Sequence, residues 1–148
     1  MVELFTPEGC SSCPKADAVL NQIVRQARSN KQPIYALAFH VDYWDKLNTP
    51  HGVWKDPYSS NAHTKYQKEY AHKNPITGRK GMLVTPQILV DGDHLPGGKL
   101  NFDTYFSKER DQQISQTVHK KDSTLIIIAT CDNNNANSIL CVALVERG

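Results

Sequence analysis

Between Val2 and Trp44 the hydrophobic period of the chain changes twice, and that change leaves few folds open. Val2, Leu4 and Phe5 form a short apolar run that Thr6, Pro7 and Gly9 close, the pattern of a strand entering a turn. Ala16, Leu20, Val24 and Ala27 then recur at helical spacing with Val19 and Ile23 beside them, the stripe of an amphipathic helix, and Asn30 and Pro33 end it. The stretch "IYALAFHVDYW", Ile34 to Trp44, is almost continuously apolar and rich in strand formers, as expected of a strand buried on both faces. Strand, helix and strand in so short a span predict a βαβ unit, with parallel strands and a right-handed crossover.

The turn between the first strand and the helix reads "TPEGCSSCPKAD". Cys10 and Cys13 are therefore predicted where a helix begins, among unpaired N–H groups at the positive end of the helix dipole. A thiolate is favoured there, and thiol pKa values in such settings fall from about 8.5 to roughly 3.5–7.5. Cys10, at the cap, is the expected nucleophile. Cys13, about one turn further on, can close the ring and displace a mixed disulfide, and Pro14 suits a first turn that needs no N–H from it. Structural zinc uses the same spacing but needs two more ligands, and the other two cysteines, Cys131 and Cys141, are too widely spaced to supply the usual second pair.

Past Trp44 the chain becomes polar and is punctuated by Pro50, Gly52, Pro57, Pro75, Gly78 and Gly81. A structureless loop of that length is unusual. Residues 45–82 are read as a helical insertion, with Ser59 or Ser60 capping a helix that carries Ala62, Tyr66 and Tyr70 and ends before Asn74. "VTPQILVDGDHL" is a hairpin turning at Asp91 and Gly92. Thr85 and Pro86 stand at its start, where a proline calls for a bulge, a strand start or a cis bond. Phe102, Phe106, Ile114 and Val118 are predicted to lie on a helix. The runs flanking the Asn-rich turn, residues 123–146, are read as a second hairpin, across which Cys131 and Cys141 face each other as a disulfide or as two thiols.

With 148 residues, 39% hydrophobic and 22% charged, the chain fits one globular domain, 1–148. The net charge of +2 and the scattered lysines and arginines argue against a nucleic-acid partner, and the apolar runs are too short to span a membrane.

Apolar strand, Cys-x-x-Cys-Pro, helix, strand and then Thr-Pro before a hairpin resemble the thioredoxin superfamily. The segments "VELFTPEGCSSCPKADAVL", "LAFHVDYWDKL", "WKDPY" and "TPQILVDG" are similar to a thioredoxin-like family, often carrying secretion signals, that is catalogued as a domain of unknown function. The resemblance implies an α/β thioredoxin-like fold made of βαβ, the helical insertion and ββα, with an extra C-terminal hairpin. It implies a cis Pro86 packed beside the Cys pair, with the Thr85 backbone open to an extended substrate. It also implies a periplasmic or secreted location, although nothing in this chain excludes the cytoplasm, since Met1 is followed at once by the first strand. "NTPHGV" lengthens the insertion relative to that family, and "VALVERG" looks like a family segment that would normally continue.

Three further residues are candidates for proton transfer. Glu3 lies close to where thioredoxins keep a buried carboxylate that takes the proton of the inner cysteine, or else it is an edge residue facing water. His40 and Asp42, in "HVDYWD", are expected on one strand face at the end of the second strand, where α/β sites collect. There they shuttle the Cys13 proton or serve only as packing. Tyr43, Trp44, Trp54 and Tyr58 either line a partner groove or bury the insertion on the sheet. His51, His63, His72, His94 and His119 show no ligand spacing and are read as surface residues. The reading is a thiol–disulfide oxidoreductase acting on a protein or small-molecule thiol or disulfide, with no cofactor or resident metal. The alternatives are a module holding Cu(I) on the Cys pair with His40 as third ligand, or a redox-inert scaffold.

Overall fold

A computed structural model of the chain describes residues 1–32, 34–73, 80–95 and 114–131. They belong to two compact units, 1–101 and 102–148. The first is mixed α/β. Its elements are β1 (Val2–Thr6), α1 (Cys13–Ser29), β2 (Ala36–His40), a 3-10 turn (Asp42–Trp44), β3 (Lys46–Thr49), β4 (Gly52–Lys55), α2 (Asn61–Lys73), β5 (Gln87–Val90) and β6 (Asp93–His94).

The main sheet has the order β2-β1-β5-β6. β1 and β2 are parallel, with Val2 opposite Ala36 and Thr6 opposite His40, as the βαβ reading requires. β5 runs antiparallel to β1, with Val2 opposite Val90 and Phe5 opposite Gln87. β1 is thus hydrogen-bonded on both edges, and all five of its residues are buried. Its alternation divides the core. Phe5 packs against Phe39, Tyr66 and Tyr70 on one face. By the two-residue period Val2, Leu4 and Thr6 point to the other, toward the stripe of α1 that buries Ala16, Ile23 and Ala27.

Glu3 shares the Phe5 face and is 1% exposed, so of the two alternatives the edge residue facing water is excluded. Each carboxyl oxygen accepts a tyrosine hydroxyl from α2, Oε1 from Tyr66 and Oε2 from Tyr70, both at 2.8 Å. A buried acid is costly unless its lone pairs are met, and two tyrosines one helical turn apart meet them. Glu3 is therefore a tie between the central strand and α2.

β2 departs from the sequence reading. It stops at His40 and lies at the sheet edge, only half-buried, where a strand buried on both faces was predicted. Its apolar run continues into Val41, a core residue bonded through its N–H to Thr6, and then turns. Asp42 opens the 3-10 turn, with its N–H and carboxylate both on the Thr64 hydroxyl and a second bond from Asn61. Asp42 thus faces α2 and does not share a strand face with His40.

The helix read within the insertion is present as α2, with Ser60 as its cap: the Ser60 hydroxyl accepts the Ala62 N–H at 3.2 Å. Ahead of it, residues 46–55 form an antiparallel ribbon, Leu47 opposite Trp54, in place of a purely helical insertion. Asp91 and Gly92 take positive φ in the turn between β5 and β6, the two-residue hairpin turn that Asp-Gly predicts.

In the second unit, β7 (Ile114–Lys121) pairs antiparallel with β8 (Thr124–Cys131) through Asp122 and Ser123. Ile114 and Val118 are consequently strand residues, not part of a helix. One edge of β8 is thus taken by the segment that precedes it. Phe102, Phe106, Cys141 and that later run lie outside the described residues.

The Glu3 tie has a consequence at high pH. Burial, and then the bonds and charge of Tyr66 and Glu3, push the Tyr70 hydroxyl well above its ordinary range. A folded-state pKa above the unfolded value stabilises below the unfolded pKa and is lost as pH rises past it. The urea midpoint should fall as pH rises above about 10, and Tyr70→Phe should weaken that dependence. The same alkaline slope in both proteins would contradict the tie.

Candidate functional site

Cys10 and Cys13 form a disulfide with Cα atoms 5.4 Å apart. α1 starts later than the sequence suggested: Ser12 is its N-cap, Cys13 its first residue and Pro14 its second. Cys10 lies in the preceding turn, where its N–H is committed to Pro7 O at 3.3 Å and its carbonyl accepts the Cys13 N–H at 3.2 Å. The two sulfurs differ in surroundings. Cys13 is 1% exposed. Cys10 is half-buried and opens on a cleft of about 190 Å³ lined by Gly9, Cys10, Ser11, Ser12, Trp44 and Thr85. A disulfide sulfur carries no proton, so the Ser12 hydroxyl donates to Cys10 Sγ, at 3.3 Å.

Thr85 forms the far wall of this cleft, and the Thr85–Pro86 bond is cis. Tyr43 donates its hydroxyl to Gln67 Oε1 at 3.0 Å and faces the Thr85 side chain. Burial raises the Tyr43 pKa against the influence of these two side chains. Gln67 in turn donates to Val84 O and Gln87 Oε1, both at 2.8 Å. A polar network centred on buried Gln67 thus ties the strand start that carries Thr85 to the 3-10 turn that carries Trp44.

Gly9 admits no side chain. A Cβ there would overlap the Trp44 carbonyl oxygen and stand 3.2 Å from that of Lys46. One residue earlier, the Glu8 N–H donates to Asp56 Oδ2 at 3.1 Å. Asp56 Oδ2 also accepts His40 Nδ1–H at 2.6 Å, and Oδ1 accepts the Tyr58 N–H at 2.9 Å. Burial alone would raise the Asp56 carboxyl. The bonds from His40, Glu8 and Tyr58 and the His40 charge outweigh it and hold the group below the usual carboxylate range.

His40 therefore does sit at the cysteine end of the sheet, paired in register with Thr6, but its carboxylate partner is Asp56 and not Asp42. Asp56 stands in "WKDPY", fourteen positions beyond Asp42, and only the ribbon of β3 and β4 returns it to the sheet. Asp17 was also missed. It follows Cys13 by four residues on α1, the spacing that stacks side chains on one helix face, and its carboxyl faces the Thr6 side chain and His40. Desolvation raises its pKa against both of those influences. An acid four places after the second cysteine was the available sequence signal.

The aromatics of the insertion do not bury it on the sheet: Trp44 is 57% and Tyr58 68% exposed, with Tyr58 edge-on to the His40 ring. His63 is not a plain surface residue, since its Nδ1 bonds His40 O at 2.9 Å and its ring packs on Phe39. Among the described residues no group of three or more His, Cys, Asp or Glu side chains could hold a metal ion, and no helix is long and apolar enough to cross a membrane.

A family model described as "Protein of unknown function (DUF1223)" matches residues 1–148, and the chain belongs to that family. No curated protein and no solved structure matches it.

Gly9→Ala should destabilise the protein by about 1–3 kcal/mol in urea unfolding, because the obstructing atoms are backbone. Ser11→Ala, at an exposed neighbour, should be neutral. Equal stability of the two variants would mean that the turn does not bear on the Trp44 carbonyl.

Proposed function

We propose that the chain is a thiol–disulfide oxidoreductase of thioredoxin-like fold. The fold reading is supported by the sheet order, with parallel β1 and β2 followed by antiparallel β5 and β6, together with the Cys pair at the start of α1 and the cis proline after Thr85. The observation that carries the function is the asymmetry of the disulfide. Its outer sulfur faces a cleft, while its inner sulfur is buried one helical turn from a carboxyl group with a raised pKa.

The chemistry follows from that asymmetry. In the reduced protein the Cys10 thiolate attacks one sulfur of a substrate disulfide, breaking the S–S bond and releasing one substrate thiolate, which takes up a proton. Cys13 then loses its proton to Asp17 and attacks Cys10 Sγ. The substrate leaves as its second thiol, and the Cys10–Cys13 disulfide is formed. Run backward, the same steps oxidise a substrate dithiol. Thr85, on the opposite wall, offers its backbone to an extended substrate as an added strand. His40, held by Asp56, stabilises the charged form of Asp17 rather than meeting the cysteine itself. The substrate class is a protein or small-molecule thiol or disulfide, and the location is periplasmic or secreted by family resemblance.

In the reduced protein Cys10 should alkylate at neutral pH at least about tenfold faster than Cys13, because only Cys10 is accessible. Cys13→Ser should trap mixed disulfides and Cys10→Ser should trap none. Asp17→Asn should slow resolution of the mixed disulfide by about 10²-fold with little effect on its formation. It should also abolish the rise of resolution rate with pH at the Asp17 titration, which lies above the ordinary carboxylate range. Stopped-flow exchange with a peptide disulfide separates the two steps. Wild-type resolution in Asp17→Asn would remove Asp17 from the mechanism, and equal alkylation of Cys10 and Cys13 would remove the nucleophile assignment.

A further inference from the structure

Asp56 touches neither cysteine, yet its carboxylate is bonded to the turn that presents them. Oδ2 accepts the Glu8 N–H, two residues before Cys10, and Oδ1 accepts the Tyr58 N–H. The same Oδ2 receives the His40 Nδ1–H, so the carboxylate joins that turn to the end of β2. Its side chain has no solvent exposure. The Asp56 N–H donates to Asp45 O at 2.7 Å, next to the Trp44 carbonyl that abuts Gly9. Two consecutive residues of the turn are therefore gripped from residues 44–58, Glu8 by a side chain and Gly9 by backbone. The turn's own bond, Cys10 N–H to Pro7 O, is long at 3.3 Å. A ring closes more readily when its ends are already held near the closed geometry, because the ordering entropy has been lost beforehand.

We propose that Asp56 is a positioning residue for the Cys10–Cys13 pair: by fixing the Glu8 N–H against His40 it holds the turn in the shape the disulfide needs, and so favours disulfide over dithiol. The proposal rests on the reading of the pair as redox-active. In the exchange that measures it, two glutathione thiols are oxidised to glutathione disulfide while the Cys10–Cys13 bond is reduced to two thiols. Asp56 takes no part in the bond changes and acts only on their equilibrium.

The test uses the full chain equilibrated in glutathione redox buffers, with the oxidised fraction of the peptide carrying Cys10 and Cys13 read by alkylation and mass. Asp56→Ala leaves the Glu8 and Tyr58 N–H groups without their acceptor, and should move the equilibrium about tenfold toward the dithiol, which is about 30 mV in potential. Asp56→Asn keeps one acceptor oxygen and should move it less, in the same direction. Asp45→Asn perturbs the same segment through Ser59 and Lys55 without touching the turn, and should equilibrate as wild type. Thermal unfolding of the oxidised proteins establishes that each is folded; should Asp56→Ala fail to fold, Asp56→Asn against Asp45→Asn decides. A folded Asp56→Asn that equilibrates as wild type, or an Asp45→Asn shift as large as that of Asp56→Asn, would overturn the proposal alone. A wild-type pair that never exchanges with glutathione would overturn the oxidoreductase reading as well.

Discussion

A carboxylate sealed from water must find donors, and Asp56 finds three: two distant in the chain, the turn at Glu8 and the end of β2 at His40, and one local, the backbone at Tyr58. The cost of burying the charge is met only while all three are in place. The cysteine turn, the last residue of β2 and the chain leaving the ribbon are thereby held to one point. That point fixes where the cleft lies. Trp44 reaches it because the segment from Asp45 to Asp56 closes on itself through their backbone bond, and Thr85 reaches it through the separate network of Tyr43, Gln67 and Gln87.

The two faces of the sheet carry different kinds of polar group. On the α2 face Glu3 is enclosed by Tyr66 and Tyr70, all three within a cluster of aromatic rings. Its neighbours are two hydroxyls that donate to it from α2, so the arrangement braces α2 against β1. On the α1 face Thr6, His40 and Asp17 converge at the end of the strands that meets the cysteines. A carboxyl there is desolvated enough to take a proton at higher pH than an exposed one. The division follows from strand alternation: Glu3 and Thr6, both in β1, point to opposite faces.

What the sequence made legible was local. The individual strands and helix of the βαβ unit, the Ser60 cap and the Asp91-Gly92 turn each show in residues within a few positions of one another. The ribbon of β3 and β4 was not legible because all eight of its residues are exposed, so no alternation of polar and apolar marks it. Ile114 and Val118 misled for a different reason: a spacing of four satisfies both a helical turn and two strand repeats, and the two residues share a face of β7. Within the site, the cysteines, Thr85 and Pro86 were found by motif, and His40 by its place at a strand end. Its true partner was hidden, because Asp56 is near His40 only after the ribbon has folded back. Asp17 was hidden by its ordinariness, since an acid on a helix surface is common until a neighbouring strand desolvates it.

The central position of β1 also bears on how the protein is made. The strand nearest the start of the chain is enclosed by β2 on one edge and β5 on the other, so its second edge stays open until Val90 has been synthesised. Synthesis runs at roughly 5–20 residues per second. For several seconds Cys10 and Cys13 are outside the ribosome, while the wall that Thr85 will supply and the clasp that Asp56 will supply do not yet exist. During that interval the cleft onto which Cys10 opens lacks its Thr85 side. The cleft beside Cys10 is thus completed late, when the strand that closes the sheet arrives.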